Sequence, residues 1–234
     1  IVKFNPKEDI VFNRNFLPFH ANGLTFTASG DDFSYQSTFC SVGGGFIVKE
    51  NPCEEVQTNK KKAPFPFPID KAEELLHYCS SEGKKISEIV YENEKALRTE
   101  EEINHELLRI WNTMLECTYI GCHTEGVLPG GLHVRRRAYD IHKNLIGVVT
   151  YDSPKSWINS IKKTDIKFRE ILKWVTCFSL AVNEVNASLG RVVTAPTNGS
   201  SGVIPAVLLY YLAIDNPQAG DREIERFLLT SGII

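Results

Sequence analysis

Residues 49–68, KENPCEEVQTNKKKAPFPFP, constrain the fold of this chain more than any other stretch. They carry Pro52, Pro64, Pro66 and Pro68. Proline has no amide N–H to donate and its ring blocks the preceding turn, so this stretch continues neither a helix nor a central strand. The two sides must therefore fold with their own periodicities. Upstream, Leu24, Phe26 and Ala28 alternate with Thr25, Thr27 and Ser29, and Phe33, Tyr35 and Phe39 share one phase of a second run. Residues 29–32, SGDD, form a turn signal between them, so a hairpin is expected. The chain divides into a β-rich part over 1–50, a linker over 51–68 whose triple lysine is a solvated tether, and a helical part over 69–234.

The helical part is punctuated clearly. Asp70 is expected to cap a helix reaching Cys79, with Gly83 beyond its end. Ser87 starts another that ends near Leu97. Thr99 with Glu102 forms a capping box, and Ile103, Leu107, Ile110 and Met114 carry the helix to about Tyr119. Ser153 before Pro154 marks a further start. Asp165 opens a long helix through Val182. Residues 203–214 are apolar on nearly every face and predict a central buried helix with Pro205 in its first turn. Asp221 begins the last helix. The expected fold is mainly α: an all-helical domain preceded by the end of a small mixed α/β domain.

Composition excludes several classes. With 42% hydrophobic and 24% charged residues the chain is a folded protein, not a disordered one. A net charge of −3 gives no broad grip on nucleic acid. Every apolar run is too short to span a bilayer and no signal peptide opens the chain, so the cytoplasm is the expected compartment. The chain begins at Ile1 rather than Met and stops at Ile233 and Ile234 after an apolar helical pattern, so it reads as a piece of a longer protein. The six cysteines, Cys40, Cys53, Cys79, Cys117, Cys122 and Cys177, lack disulfide-framework spacing and are expected to be reduced. Cys117, Cys122 and His123 come nearest to a metal cluster, but a spacing of five does not put two thiolates on one helix face.

Four loops have compositions that are costly without a reason. In residues 17–23, LPFHANG, a turn presents His20, either as an acid or base near neutral pH or as a surface loop histidine. In residues 41–46, SVGGGF, the glycines after a strand either let backbone N–H groups converge on an anion or form a bulge. In residues 128–137, LPGGLHVRRR, a Gly-Gly turn feeds three arginines. Successive helical residues point ~100° apart, so at least two of these arginines are expected to pair with acidic side chains or cap carbonyls. The fourth segment, residues 183–202, leads Thr197, Asn198, Gly199, Ser200 and Ser201 straight into an apolar helix. Unpaired N–H groups and the positive dipole end there favour a carboxylate, and a simple cap needs one such residue, not four.

These segments, LPFHANG, SVGGGF, LPGGLHVRRRA and NEVNASLGRVVTAPTNGSSGVIPAV, resemble the signature segments of iron–sulfur-dependent L-serine dehydratases of the single-chain form, in the family's order and over essentially the whole chain. The departures are small. Ala21 stands at a variable position, Ser188-Leu189 where small residues such as Ala-Gly are common, and Ser201 where many members have cysteine. The resemblance implies a lyase that converts L-serine to pyruvate and ammonia, a step of amino-acid metabolism and gluconeogenesis. It implies a [4Fe–4S] cluster acting as a Lewis acid on the substrate hydroxyl, with its ligands beyond residue 234, so that no metal ligand is assigned in this chain and the piece alone would be inactive. Within that scheme His20, from the β part, is the candidate base or the base's partner. Ser41, Gly43 and Gly44, with Thr197, Asn198, Gly199, Ser200 and Ser201, are candidates for holding the substrate. No lysine sits in a Schiff-base context, so pyridoxal phosphate is not invoked. The partner implied is L-serine, with no nucleic acid or membrane, and the enzyme is expected to be a homo-oligomer. Two alternatives stand: a related iron–sulfur lyase acting on L-cysteine or L-threonine, and a non-catalytic amino-acid-binding module.

Overall fold

A computed structural model describes residues 4–30, 32–43, 46–50, 65–195 and 197–233. The chain falls into two compact units, residues 1–59 and 60–234. The fold is mainly α, with one small antiparallel sheet near the N-terminus.

The first unit holds strands β1 (Gly23–Gly30), β2 (Phe33–Gly43) and β3 (Phe46–Lys49) in the order β1-β2-β3. Pairing runs from Gly30↔Phe33 to Gly23↔Cys40, so the expected hairpin forms with a two-residue connection; its Asp31 lies outside the described residues. Phe26 and Phe39 meet edge-to-face with ring centroids 6.0 Å apart, and the Thr25 and Thr38 hydroxyls bond across the strands. Strand β3 was not anticipated, because four residues after a glycine run give too short an alternation to recognise. It pairs Ser41 with Ile47, and the register shifts between Ser41 and Gly43. Leu24, Phe26, Phe33 and Tyr35 are each more than half exposed, while Cys40 is fully buried.

Of the expected linker, residues 51–64 lie outside the described residues. Its last residues are pinned to the second unit, where Asn93 donates to the Phe67 carbonyl at 2.7 Å and accepts the Phe67 N–H at 3.0 Å.

In the second unit α1 spans Ala72–Glu82 and α2 spans Ile86–Lys95. Neither start is capped where the side-chain signal suggested. Glu74 accepts from the Asp70 and Lys71 amides, and Glu88 from the Lys85 amide, so a carboxylate in the first turn substitutes for a cap before it. Gly83 ends α1 at φ +63°, in the left-handed region where glycine carries no Cβ penalty. Helix α3 (Glu100–His123) opens with the expected Thr99–Glu102 box and runs four residues past Tyr119. Helix α4 (Ala138–Ile146) was not anticipated. Helix α5 (Pro154–Lys162) starts as expected behind Ser153, which accepts the Ser156 N–H. Helix α6 (Phe168–Ala187) begins three residues after Asp165. Helix α7 (Val203–Tyr210) continues into a π-turn (Tyr211–Asp215), and α8 spans Asp221–Ile233. Pro205 falls in the first turn of α7, where its missing N–H costs nothing. Pro205, Ala206, Leu208 and Leu209 are buried, but Val203 and Val207 are exposed, so α7 is buried on most faces rather than all.

Trp157, Trp174 and Phe178 are fully buried and anchor the core, joined by Met114, Leu208 and Leu209. Helices α3 and α6 cross so closely at Gly121 that an added Cβ would lie 2.2 Å from the Ala181 carbonyl oxygen.

Candidate functional site

In the first unit the loop before β1 presents His20, half-buried. Its Nδ1 accepts the Asn22 N–H at 3.1 Å. Accepting there puts the proton of the neutral ring on Nε2, so the free edge of His20 is a donor. The Asn22 carbonyl in turn accepts the Ser41 N–H at 3.0 Å. Two of the singled-out loops, residues 17–23 and 41–46, are thus tied together by one main-chain bond. Ser41 is exposed at the end of β2, beside the register shift that ends at Gly43; Gly44 lies outside the described residues.

In the second unit residues 126–136 form a small hairpin, closed by Arg136 N–H to the Gly126 carbonyl and Leu128 N–H to the Val134 carbonyl. The three arginines have separate fates. Arg135 pairs with Asp140 at 2.7 Å. Arg136 is buried, and its guanidinium reaches the Glu184 carbonyl oxygen at 3.5 Å and the Ser188 hydroxyl. Arg137 is exposed, but its backbone N–H donates to the Glu184 carboxylate at 2.7 Å, and the Ala138 N–H does so at 3.2 Å. Glu184, 5% exposed on α6, therefore occupies the N-terminal end of α4 as a carboxylate supplied from another helix. Its second oxygen, Oε2, is buried with no partner among the described residues.

The segment before α7 is held from the other side of α6. Asn198–Ser200 forms one 3-10 turn. The Asn198 carbonyl accepts from the Asn186 side-chain amide at 3.1 Å and from the Ser201 hydroxyl at 2.7 Å. The Thr194 hydroxyl donates to Asn198 Oδ1, and the Thr197 and Ser200 hydroxyls pair at 3.0 Å. Gly202 sits where a Cβ would fall 2.6 Å from the Ser179 carbonyl oxygen. Ser201 is 1% exposed and faces inward; Thr197, Asn198 and Gly199 are exposed. The structure thus separates the five candidates into an inner hydroxyl that builds the turn and outer groups that face solvent. Pro196 lies outside the described residues.

A buried polar cluster escaped the sequence. His123 donates from Nδ1 to the Tyr119 carbonyl at 2.6 Å and accepts the Tyr151 hydroxyl at Nε2, 2.8 Å away. The Trp157 indole N–H donates to His142 Nε2 at 2.8 Å. Burial, and then the nearby His123, press the His142 imidazole down to about 4. Only an isolated polar residue on an apolar face signals such a cluster, and that pattern is also what a surface helix shows. Cys117 and Cys122 go separate ways: Cys117 packs with Val182 and Val185, and burial pushes its thiol up to about 11. The Cys122 sulfur lies 3.8 Å from that of Cys177.

Family models match nearly all of this framework. The serine dehydratase beta chain matches residues 1–52 and the serine dehydratase alpha chain residues 81–234. The chain belongs to the serine dehydratase family. It is 40% identical to an L-serine dehydratase of Haemophilus influenzae and 39% identical to one of Streptomyces coelicolor, each over all of this chain and 48% of the relative. It is 41% identical to L-serine dehydratase 1 of Escherichia coli over 90% of this chain and 43% of the relative. The chain therefore spans about half the length of the curated relatives it matches. Among the described residues no helix is long and apolar enough to cross a membrane.

Proposed function

We propose that the intact protein removes the α-proton and the hydroxyl of L-serine to give pyruvate and ammonia. Family membership supports the reaction class, and the observation that carries the site is the turn before α7, whose exposed Thr197, Asn198 and Gly199 stand at the N-terminal end of a largely buried helix. Free N–H groups and the positive dipole end at such a place suit the substrate carboxylate. In the other unit Ser41, Gly43 and Gly44 are proposed as further backbone contacts to the substrate. Loss of the Cα proton and of hydroxide leaves an aminoacrylate, which tautomerises to an imine and hydrolyses. His20, with Nδ1 engaged by Asn22, offers Nε2–H, which suits orienting the substrate or the base; abstracting a proton itself requires the ring to release Asn22.

The iron–sulfur cluster that the resemblance implies does not fit the described cysteines. Of Cys40, Cys79, Cys117, Cys122 and Cys177 most are buried, Cys122 and Cys177 come together only as a pair, and the described residues contain no group of three side chains able to hold a metal ion. The cluster is proposed for the intact protein with ligands outside these residues, and no step here is assigned to it. The same proposal places the enzyme in the cytoplasm, as a homo-oligomer.

Pyruvate release from L-serine by the intact, anaerobically prepared protein tests the reaction, with L-cysteine and L-threonine as competitors for its identity. Activity is expected to vanish in air and return with iron, sulfide and reductant. Binding of serine without any pyruvate would favour the amino-acid-binding module instead.

A further inference from the structure

We propose that Cys122 and Cys177 form a redox site, at which hydrogen peroxide, a small neutral oxidant, joins them into a disulfide that staples α3 to α6. This stands apart from the serine reading. The two sulfurs lie 3.8 Å apart, close to van der Waals contact, and both residues are fully buried. Gly121, next to Cys122, brings the helices together, since an added Cβ there would lie 2.2 Å from the Ala181 carbonyl oxygen. Ala181 is one helical turn from Cys177, so both thiols sit at the close point of the crossing. Cys177 donates its hydrogen to the Ala138 carbonyl at 3.4 Å, which leaves its sulfur lone pairs facing Cys122. Closing to the ~2.05 Å of a disulfide moves each sulfur by about 0.9 Å, which rotation about the side chains supplies without a helix shift. Cys117, on the same helix as Cys122, packs instead with Val182 and Val185.

One sulfur, as its thiolate, attacks a peroxide oxygen. The O–O bond breaks, the sulfur is oxidised to a sulfenic acid, and the hydroxide released takes the thiol's proton as the first water. The second sulfur then attacks the first, the S–O bond breaks, and the departing hydroxyl takes the second thiol's proton as another water. Two thiols lose two electrons and two protons, and one peroxide is reduced to two waters. A sulfenic acid formed here meets its partner thiol before a second peroxide, because the partner is already in contact and the pair is closed to solvent. Burial raises the Cys122 thiol, so thiolate is scarce and the reaction is slow. The cross-link ties together residues 55 apart in sequence, which restricts the unfolded chain more than the folded one.

The test treats the intact, anaerobically prepared protein with hydrogen peroxide, blocks the remaining thiols with iodoacetamide and maps peptides without reductant. A Cys122–Cys177 peptide pair is expected, lighter by two hydrogen atoms than the two free peptides together and released by dithiothreitol. It should be absent from Cys122→Ala and Cys177→Ala, and the parent map decides alone where a variant fails to fold. The same treatment in urea, where the contact is lost, should show no preference for this pair. The oxidised parent should unfold at a higher urea concentration than the reduced one, a shift that reductant reverses and neither variant shows. Both thiols still free after peroxide, sulfinic acid at either sulfur, a pairing with Cys79 or Cys117 instead, or a midpoint that does not rise overturns the proposal, and the serine reading stands in each case.

Discussion

Residues 126–137 and 194–202 both rest on α6, yet different chemistry holds them. Glu184 and Asn186, their respective anchors, are two positions apart and so ~200° apart around the helix. On the Glu184 side the contact is a buried carboxylate on two backbone N–H groups, with Arg136 bridging to the same helix turn. On the Asn186 side it is a set of neutral hydroxyl and amide bonds, most of them at the surface. Charged, dry bonds are the stronger and the costlier to break. The arginine hairpin is therefore a structural joint, and the turn before α7 leaves Thr197, Asn198 and Gly199 facing solvent.

The contrast can be broken most directly at Glu184. Glu184→Ala strands the Arg137 and Ala138 N–H groups, the second of them buried, and should destabilise the helical unit by about 3 kcal/mol, whereas Ser200→Ala on the other side should stay within about 0.5 kcal/mol. Urea unfolding of both variants decides it, and equal midpoints would erase the distinction. Glu184→Gln keeps an acceptor for the Arg137 and Ala138 amides and should recover most of the loss.

Acid provides a somewhat smaller lever on the same side, because His142 lies on α4. Its folded-state value, about 4, is below the ordinary 6.5, so the unfolded chain binds the proton more readily. Stability from this residue is complete above about pH 6.5 and falls as pH drops toward 4, by roughly 2 to 3 kcal/mol in all. Melting temperature measured over that window should decline more steeply in the parent than in His142→Gln, which retains an acceptor for Trp157. Parallel curves would remove His142 from the account.

A smaller effect than either of these is expected at the end of α6 that joins the two segments. Leu189 sits at φ +59°, fully exposed, in the left-handed conformation that closes the helix through Gly190 N–H to the Val185 carbonyl. A Cβ there costs energy that glycine avoids. Leu189→Gly should raise stability by about 1 kcal/mol, read as a higher melting temperature. This also gives a physical reason for the small residues that the family resemblance leads one to expect at 188–189.

How much of this was legible depended on whether the signal was local. The Thr99–Glu102 box, Ser153 before Pro154 and Gly83 after α1 carry their information within four residues, and each element was found. Helix α4 was not, although Ala138, Ile141, Leu145 and Ile146 have helical spacing, because its cap comes from Glu184, 46 residues away. The same distance hid the fate of the arginines: composition announced that most were structural, but not which partner each would take. In the segment before α7 the residue types were visible and their division was not. Ser201 and Asn198 are three apart in one short turn, and only the packing of Gly202 on α6 decides which faces inward.

The contact between Gly121 and Ala181 has a consequence for how freely this chain can vary. Every other amino acid adds a Cβ at a point 2.2 Å from main chain that cannot swing aside. Gly202, 2.6 Å from another α6 carbonyl oxygen, is in the same position. Gly83 differs: it has open space around it, and only its φ of +63° speaks for glycine, so asparagine or aspartate is a workable neighbour. A saturation library selected for folded protein would thus sort the glycines into two kinds, those required by backbone angle, which tolerate a few replacements, and those required by helix-to-helix clearance, which tolerate none.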